Sequence, residues 1–371
     1  YNNIMSSKNK IYLFTSDIAA FIGQNSYDFV TPFERLWKRC DSECYNKLIN
    51  MSKTSLLENH LQCEKLNTDQ KLLKDDLDKQ IITKRQYTLR FNKLQRQIEE
   101  LKVSGERLET QIDNIDLTQE QRLKKQLGDE NVSLVKSDKV ETDDKRKNIT
   151  NIIKDLNISD EKKRVLLKES ESFINKTHGT LKEDSAIDIY EKRFGIKLDT
   201  SQEFFKKSIT TISSKNFDWY IGGRVDGLYI DKNNDKGSYI VEVKNRTRGF
   251  FSSLRDYEKT QIHIYMYMLS IPVAKLVEKY NDKIRITVIH QDDDYLNDVL
   301  EYLHIFAEGF EHKFLNDINM KSRFVSSDSS EKQMIIRKLY LNKISQTVNK
   351  RLQNELQDDL DDDSCLINDD L

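Results

Sequence analysis

Between Leu66 and Ile115 the chain steps alternately by four and three residues. The series runs Leu66, Gln70, Leu73, Leu77, Gln80, Lys84, Tyr87, Phe91, Leu94, Ile98, Leu101, Gly105, Leu108, Ile112 and Ile115, and eleven of these fifteen positions are apolar. Charged residues fill the gaps, which makes the pattern a heptad seam that suits helices and no strand. Only two prolines and 11 glycines occur in 371 residues, a composition that favours long helices. Two capping-box sequences, Thr83-x-x-Gln86 and Thr118-x-x-Gln121, interrupt the stretch. One continuous coiled coil and a set of antiparallel hairpins therefore both fit. Either form predicts an arm for self-association (a homo-oligomer) or for docking a partner protein through residues 66–115. Gly128 ends the pattern, and the polar, aperiodic residues 129–147 read as a flexible loop.

Outside the seam, elements are shorter. Phe14 to Gly23 reads as a short helix, with Ser16 or Thr15 as its N-cap and Gly23 as its stop. A second helix runs from Pro32 to Cys40, and helices resume at Ile149–Leu156 and after Ser159-Asp160. His178-Gly179 punctuates before a helix from Leu181 to Phe194. Strands are expected at Ile209–Ile212, Trp219–Ile230, Ser238–Lys244 and Arg285–His290. Helices are expected at Asp256–Ser270, Tyr295–Phe314 and Lys332–Leu356. The turn DKNNDKG joins the second and third strands into a hairpin. Trp37 and Trp219 read as core residues, and His178, His263 and His290 as structural ones.

Chemistry concentrates in Gly222–Tyr265, which reads GGRVDGLYI, then YIVEVKNR, then QIHIYMYML. Side chains two apart on a strand share a face, so Glu242 and Lys244 point the same way. The hairpin brings Asp226 beside them. Two acids and a lysine suit a hard divalent cation and a phosphate: carboxylates ligate the metal, and lysine positions the nucleophile or offsets oxyanion charge. The Val243 carbonyl is a further candidate ligand. Glu183 borders the buried face of its helix and can complete the set. Gln261 and Tyr265, one helical turn apart, share a face; Gln261 can bond a phosphate or base while Tyr265 packs on the sheet. Arg224, Arg246 and Arg248 are candidates for phosphate contacts.

These pieces together, GGRVDG…IVEVK…QIHIY, resemble the core of the PD-(D/E)XK nuclease superfamily, and most of all its lambda-exonuclease-like, YqaJ-type viral recombinase members. FTSDIAAFIGQNSY is similar to that family's N-terminal motif, and HGTLKEDSAIDIYEKRFG to its Gly-x3-Glu-x6-Tyr helix, here Gly179, Glu183 and Tyr190. The resemblance spans residues 11–40 and 176–290. It implies an α/β fold with a restriction-endonuclease-like core, a central mixed sheet flanked by helices, carrying a long helical coiled-coil insertion. It divides the chain into 1–44 (start of the core), 45–175 (insertion), 176–325 (catalytic core) and 326–371 (C-terminal helix and acidic tail). It implies Mg²⁺ or Mn²⁺ held by Asp226, Glu242, Val243 and Glu183, with Lys244 catalytic and Gln261 on the substrate. DNA contacts would come from Ser16 and Thr15 at a helix start, and from Arg224, Arg246, Arg248 and Tyr265. The implied activity is metal-dependent exonuclease cleavage of DNA at duplex ends, in recombination or repair. A structure-specific or RNA-cutting endonuclease of the same fold, or a coiled-coil scaffold on a decayed nuclease fold, are the alternatives.

The charge balance agrees with a nucleic-acid partner. Residues 355–371 hold eight acids and no base, so residues 1–354 carry a formal charge of +6 beneath an overall −2. Cys40, Cys44, Cys63 and Cys365 form no secreted disulfide framework, which favours free thiols in an intracellular setting. The longest apolar run, Ile262 to Val273, is too short to span a bilayer, so no membrane role is expected.

Overall fold

The computed structural model describes residues 8–25, 27–114, 117–231, 237–351 and 353. The acidic tail expected over 355–371 and Cys365 lie outside them. The chain is mixed α/β, with two mixed sheets flanked by helices. It divides into two compact units, one of residues 37–117 and 314–335, the other of residues 1–36, 118–313 and 336–371. The helical insertion expected over 45–175 is thus divided between them.

In the first unit, α3 (Ser42–Asp78) and α4 (Lys84–Asn114) fold back on each other. The antiparallel sense follows from Asn59 bonding Ser104 and Gln70 bonding Gln95. The hairpin turns at 79–83, where Gln80 takes φ 60° and Thr83 exchanges hydrogen bonds with Gln86. Of the two arrangements the heptads allow, the cap at Thr83 decides for the hairpin. The seam positions from Leu66 to Leu108 are buried or half-buried, save Gln80 and Lys84 at the turn; the side chains of Ile112 and Ile115 lie outside those described. Trp37, fully buried, closes this unit's core near α11 (Ile318–Ser326), with Tyr45, Phe314 and Phe324 against its ring.

The second unit holds both sheets. In one, β1 (Asn9–Phe14) lies parallel to β3 (Phe217–Gly223), which pairs antiparallel with β2 (Phe205–Ser208). The other has the order β4 (Gly227–Tyr229), β5 (Tyr239–Asn245), β6 (Val273–Tyr280), β7 (Lys283–His290), with β5 and β6 parallel. Strands β1 and β6 are not among those expected from the sequence. The strand expected at 209–212 lies instead at 205–208, and the one expected over 219–230 is two strands in different sheets. Helix α8 (Asp160–Phe194) runs unbroken through His178-Gly179, because the helix packs on both sides of that point. Its C-terminal half covers one face of the second sheet: Ala186, Ile187 and Tyr190 meet Tyr239, Val241, Val243 and Val277. Its N-terminal half packs with α5 (Gln119–Leu127), α6 (Asp129–Lys136) and α7 (Thr142–Asp155).

This corrects the loop expected at 129–147. Val132 and Val135, three apart, bury in one cluster with Leu123, Leu127, Ile149, Ile153, Leu166 and Ile174. Tertiary burial of so few apolar residues outweighs the polar composition. The capping box at Thr118 forms as the sequence predicts. Aromatic stacking of Phe21 on Phe306 (4.5 Å between centroids), with Trp219 edge-on, joins α1 (Thr15–Phe21) to α10 (Asp293–Glu308) and fixes Trp219 in the core. The last helix expected is α12 (Ser329–Ile336), a π-helical stretch (Arg337–Leu341) and α-helix again at 342–351. No helix among the described residues is long and apolar enough to cross a membrane.

Candidate active site

The chain crosses between sheets at Arg224-Val225-Asp226, and this crossing builds the site. β4 pairs with β5 only as far as Gly227 opposite Val241. The next amide of β5 facing that edge, Val243, then lacks a strand partner, and a buried N–H without one is costly. Asp226 supplies it: Oδ2 accepts from the Val243 N–H at 2.7 Å. Asp226 thus sits in the break before β4 and not on a strand, as the hairpin reading had it. Close approach of α1 needs Gly223, since a Cβ there would overlap Thr15 Oγ1. Gly223→Ala is expected to destabilise the fold by about 2 kcal/mol through this overpacking, measured as a fall in the denaturant midpoint at unchanged slope.

Glu242 and Lys244 share the opposite face of β5 from the α8 contacts. Glu242 is 2% exposed, and its Oε1 accepts from Lys244 Nζ at 2.5 Å. Lys244 Nζ also donates to Gln261 Oε1 at 3.3 Å, and Gln261 Nε2 donates to the Tyr265 hydroxyl at 3.2 Å. Gln261 and Tyr265 lie on α9 (Asp256–Leu269), and Tyr265 is buried with Thr15 bonded to its hydroxyl. Glu183, half-buried on α8, accepts from Gln202 Nε2 at 3.4 Å. The structure therefore gathers Asp226, Glu242, Lys244, Gln261, Tyr265 and Thr15, and couples Glu183 to them electrostatically.

Burial and mutual repulsion set the charges. Burial first, then the charge of Asp226, pushes the Glu242 carboxyl up to about 8. Burial also raises Asp226, against the pull of Lys244 and the Val243 N–H, and burial with Asp226 raises Glu183. Burial opposes the charge on Lys244, but Glu242 and Asp226 offset it and raise its pKa. A carboxyl raised on folding binds a proton that the unfolded chain has lost between the ordinary value near 4.5 and about 8. Stability without added cation should therefore fall as pH rises across that window. Glu242→Gln should flatten the fall, as thermal melts in chelator at pH 5 to 8 would show; an unchanged slope would exclude Glu242 as its source.

Among the described residues, no group of three His, Cys, Asp or Glu side chains is placed to hold a metal ion as the structure stands. Glu242 Oε1 is engaged by Lys244, and Asp226 Oδ2 by Val243. The donor chemistry nonetheless fits a hard cation. Glu242 Oε2 is buried with no partner, and beyond burial the charge of Asp226 raises the proton affinity of both Glu242 and Glu183, and that of Glu183 raises Glu242. A cation would satisfy that oxygen and remove the repulsion.

Other expected contacts divide. The N-cap of α1 is Phe14 without a side-chain cap, so neither Ser16 nor Thr15 caps it; Ser16 is exposed on the first turn and Thr15 is buried. Arg224 is exposed, over the Phe204 ring at 5.8 Å. Arg248 is exposed and bonds Glu171 at 3.0 Å. Arg246 corrects the expectation of a phosphate contact: it is 8% exposed, and its guanidinium is taken up by Glu258 and Glu278. Alternation beyond Lys244 places Arg246 on the same inward face, a signal present in the sequence. Gln202, in irregular backbone at φ 58°, gave none. Cys40, Cys44 and Cys63 are free, and burial pushes Cys40 up to about 12.

No family model matches the chain, and no curated protein does. Among solved structures, it is similar to one titled "Crystal structure of SSO0001", at 19% identity and a TM-score of 0.29, covering 52% of this chain and 90% of that one.

Proposed function

We propose that this chain is a metal-dependent deoxyribonuclease that hydrolyses phosphodiester bonds at duplex ends, on a restriction-endonuclease-like core with the helical hairpin as an insertion. The observation that carries it is Glu242: a carboxylate buried on a strand, with one oxygen on Lys244, the other unpartnered, and two more acids pressing on it. Asp226, Glu242 and Glu183, with the Val243 carbonyl, are the residues that would hold Mg²⁺ or Mn²⁺. That ion, when bound, supplies charge to the phosphate oxygens and a water of lowered pKa. Lys244, kept charged by its acid neighbours, aims its ammonium at the developing oxyanion. Gln261 and Tyr265 fix the direction of that ammonium, and Thr15 fixes Tyr265. Ser16, Arg224 and Arg248, all exposed, are the side chains that would meet the DNA backbone, Arg248 by exchanging Glu171 for a phosphate.

The test is a Mg²⁺-dependent assay on linear duplexes labelled at either end, with and without a 5′ phosphate, beside a closed circle. Loss of label from linear DNA with the circle intact is expected. Cutting of the circle at equal rate moves the activity to an endonuclease, and cleavage of neither overturns the reading.

A further inference from the structure

A second group of charges stands on the other face of the same sheet. Lys145 on α7, His178 and Lys182 on α8, and Lys279 at the end of β6 converge there. Lys279 is paired in register with Asn245, the residue after Lys244, so both face away from Glu242 and Lys244. Asn245 Nδ2 donates to the Gly179 carbonyl at 3.0 Å, Lys279 Nζ to Ser185 Oγ at 2.9 Å, and Thr142 Oγ1 lies 2.9 Å from His178 Nδ1. The group is thus anchored to the strand end that carries the site, with Lys182 next to Glu183 in sequence on α8 and His178 just over one helical turn before it.

What sets it apart is missing compensation. Lys145 is 4% exposed, yet among the described residues no carboxylate lies within ion-pair distance of Lys145, Lys182 or Lys279; Asp138, Glu141 and Asp282 act only from further off. Arg146, beside them, is by contrast paired with Asp143 and Glu171. Burial first, and the charge of Lys182 second, hold Lys145, His178 and Lys279 below their ordinary pKa values. Structural lysines buried for stability are normally paired. Unpaired cations on one face of the sheet, with a ring nitrogen and a hydroxyl beside them, make a receptor for a tetrahedral anion.

We infer that Lys145, Lys182 and Lys279, with His178, form an anion site that takes a backbone phosphate of the nucleic-acid strand leaving the end of β5, an assignment that rests on the nuclease reading of the neighbouring acids. The site gives grip without sequence preference. Its position on the far face of the sheet means that the strand bends around the end of β5 after passing the acids.

The experiment uses the full chain in chelator, so that binding is read without cleavage. Anisotropy of a labelled duplex and of a labelled single strand is followed from about 50 to 200 mM salt. Replacing Lys182 and Lys279 together by glutamine should weaken binding about tenfold at low salt. It should lower the slope of log K against log salt by about 1 to 2 for one or both probes. The double arginine variant should keep the slope, and Lys145→Gln, accepted only if its circular dichroism is unchanged, should act like the glutamine pair. Wild-type slope and affinity in the glutamine pair, or no binding by the wild type, overturn the inference. A lowered slope in a chain that cleaves nothing would instead refute the nuclease reading and leave this site standing.

Discussion

Replacing Lys244 by alanine is expected to lower metal-dependent cleavage of linear duplex DNA by about 10³-fold, the scale of losing one preorganised charge at a transition state. The ammonium is held at 2.5 Å from Glu242 and 3.3 Å from Gln261, so its position is fixed before substrate arrives. The fold should survive the change. Glu242, left without its cation, takes up a proton more readily, since burial already raises it to about 8. Arginine should not restore the rate, because its planar fork cannot stand where a compact ammonium stands. Glu242→Gln should cost a similar factor, and the two together little more than either, because they act as one unit. Single-turnover rates with circular dichroism decide the matter; wild-type rates in Lys244→Ala would remove the site assignment.

Arg246→Ala should have the largest effect on stability, about 3–5 kcal/mol. Arg246 bonds Glu258 through both terminal nitrogens, at 2.6 and 3.0 Å, and Glu278 through Nε at 2.7 Å. Its guanidinium carbon lies 4.0 Å from the centre of the Phe251 ring. Glu258 and Glu278 are each 1% exposed, and removing the arginine leaves Glu258 charged without a partner. Glu278 keeps Arg285. Pairing Arg246→Ala with Glu258→Gln should therefore recover part of the loss. Chemical denaturation measures both, and a loss below about 1 kcal/mol in the single variant would show that the network is better solvated than its burial indicates. Because the network ties α9 and β6 to the end of β5, the variant should also cleave more slowly, by misplacing Gln261.

The sequence carried the site further than it carried the fold. Two-residue alternation was enough to set Glu242 and Lys244 on one face, and four-residue spacing to set Gln261 by Tyr265. Both capping boxes, at Thr83 and Thr118, formed as written. What escaped were elements specified by distant partners. β1 has no turn chemistry of its own and lies parallel to a strand remote in sequence; β6 is the exception, since Asn281-Asp282, with Asn281 at φ 51°, is a local turn signal into β7 that the sequence reading passed over. The helix at 129–136 and the first half of the one at 142–155, whose second half was expected from Ile149, depend on a small apolar cluster that no local pattern announces. Asp226 was placed on a strand because GGRVDGLYI reads as continuous. The break is imposed by the change of sheet, which shows only when β1 and β5 are both present.

The pairing of Asn9–Phe14 with Phe217–Gly222 has a consequence for synthesis on the ribosome. At about 5–20 residues per second, roughly 10–40 s separate the emergence of one strand from that of the other. The helical hairpin 42–114, whose contacts are local, can form in that interval. Ile11 and Leu13, both fully buried at the end, wait in the open with an unpaired backbone edge. Lys8 and Lys10 flank and interrupt that segment, charges of the kind that keep a waiting strand from pairing with a neighbouring nascent chain.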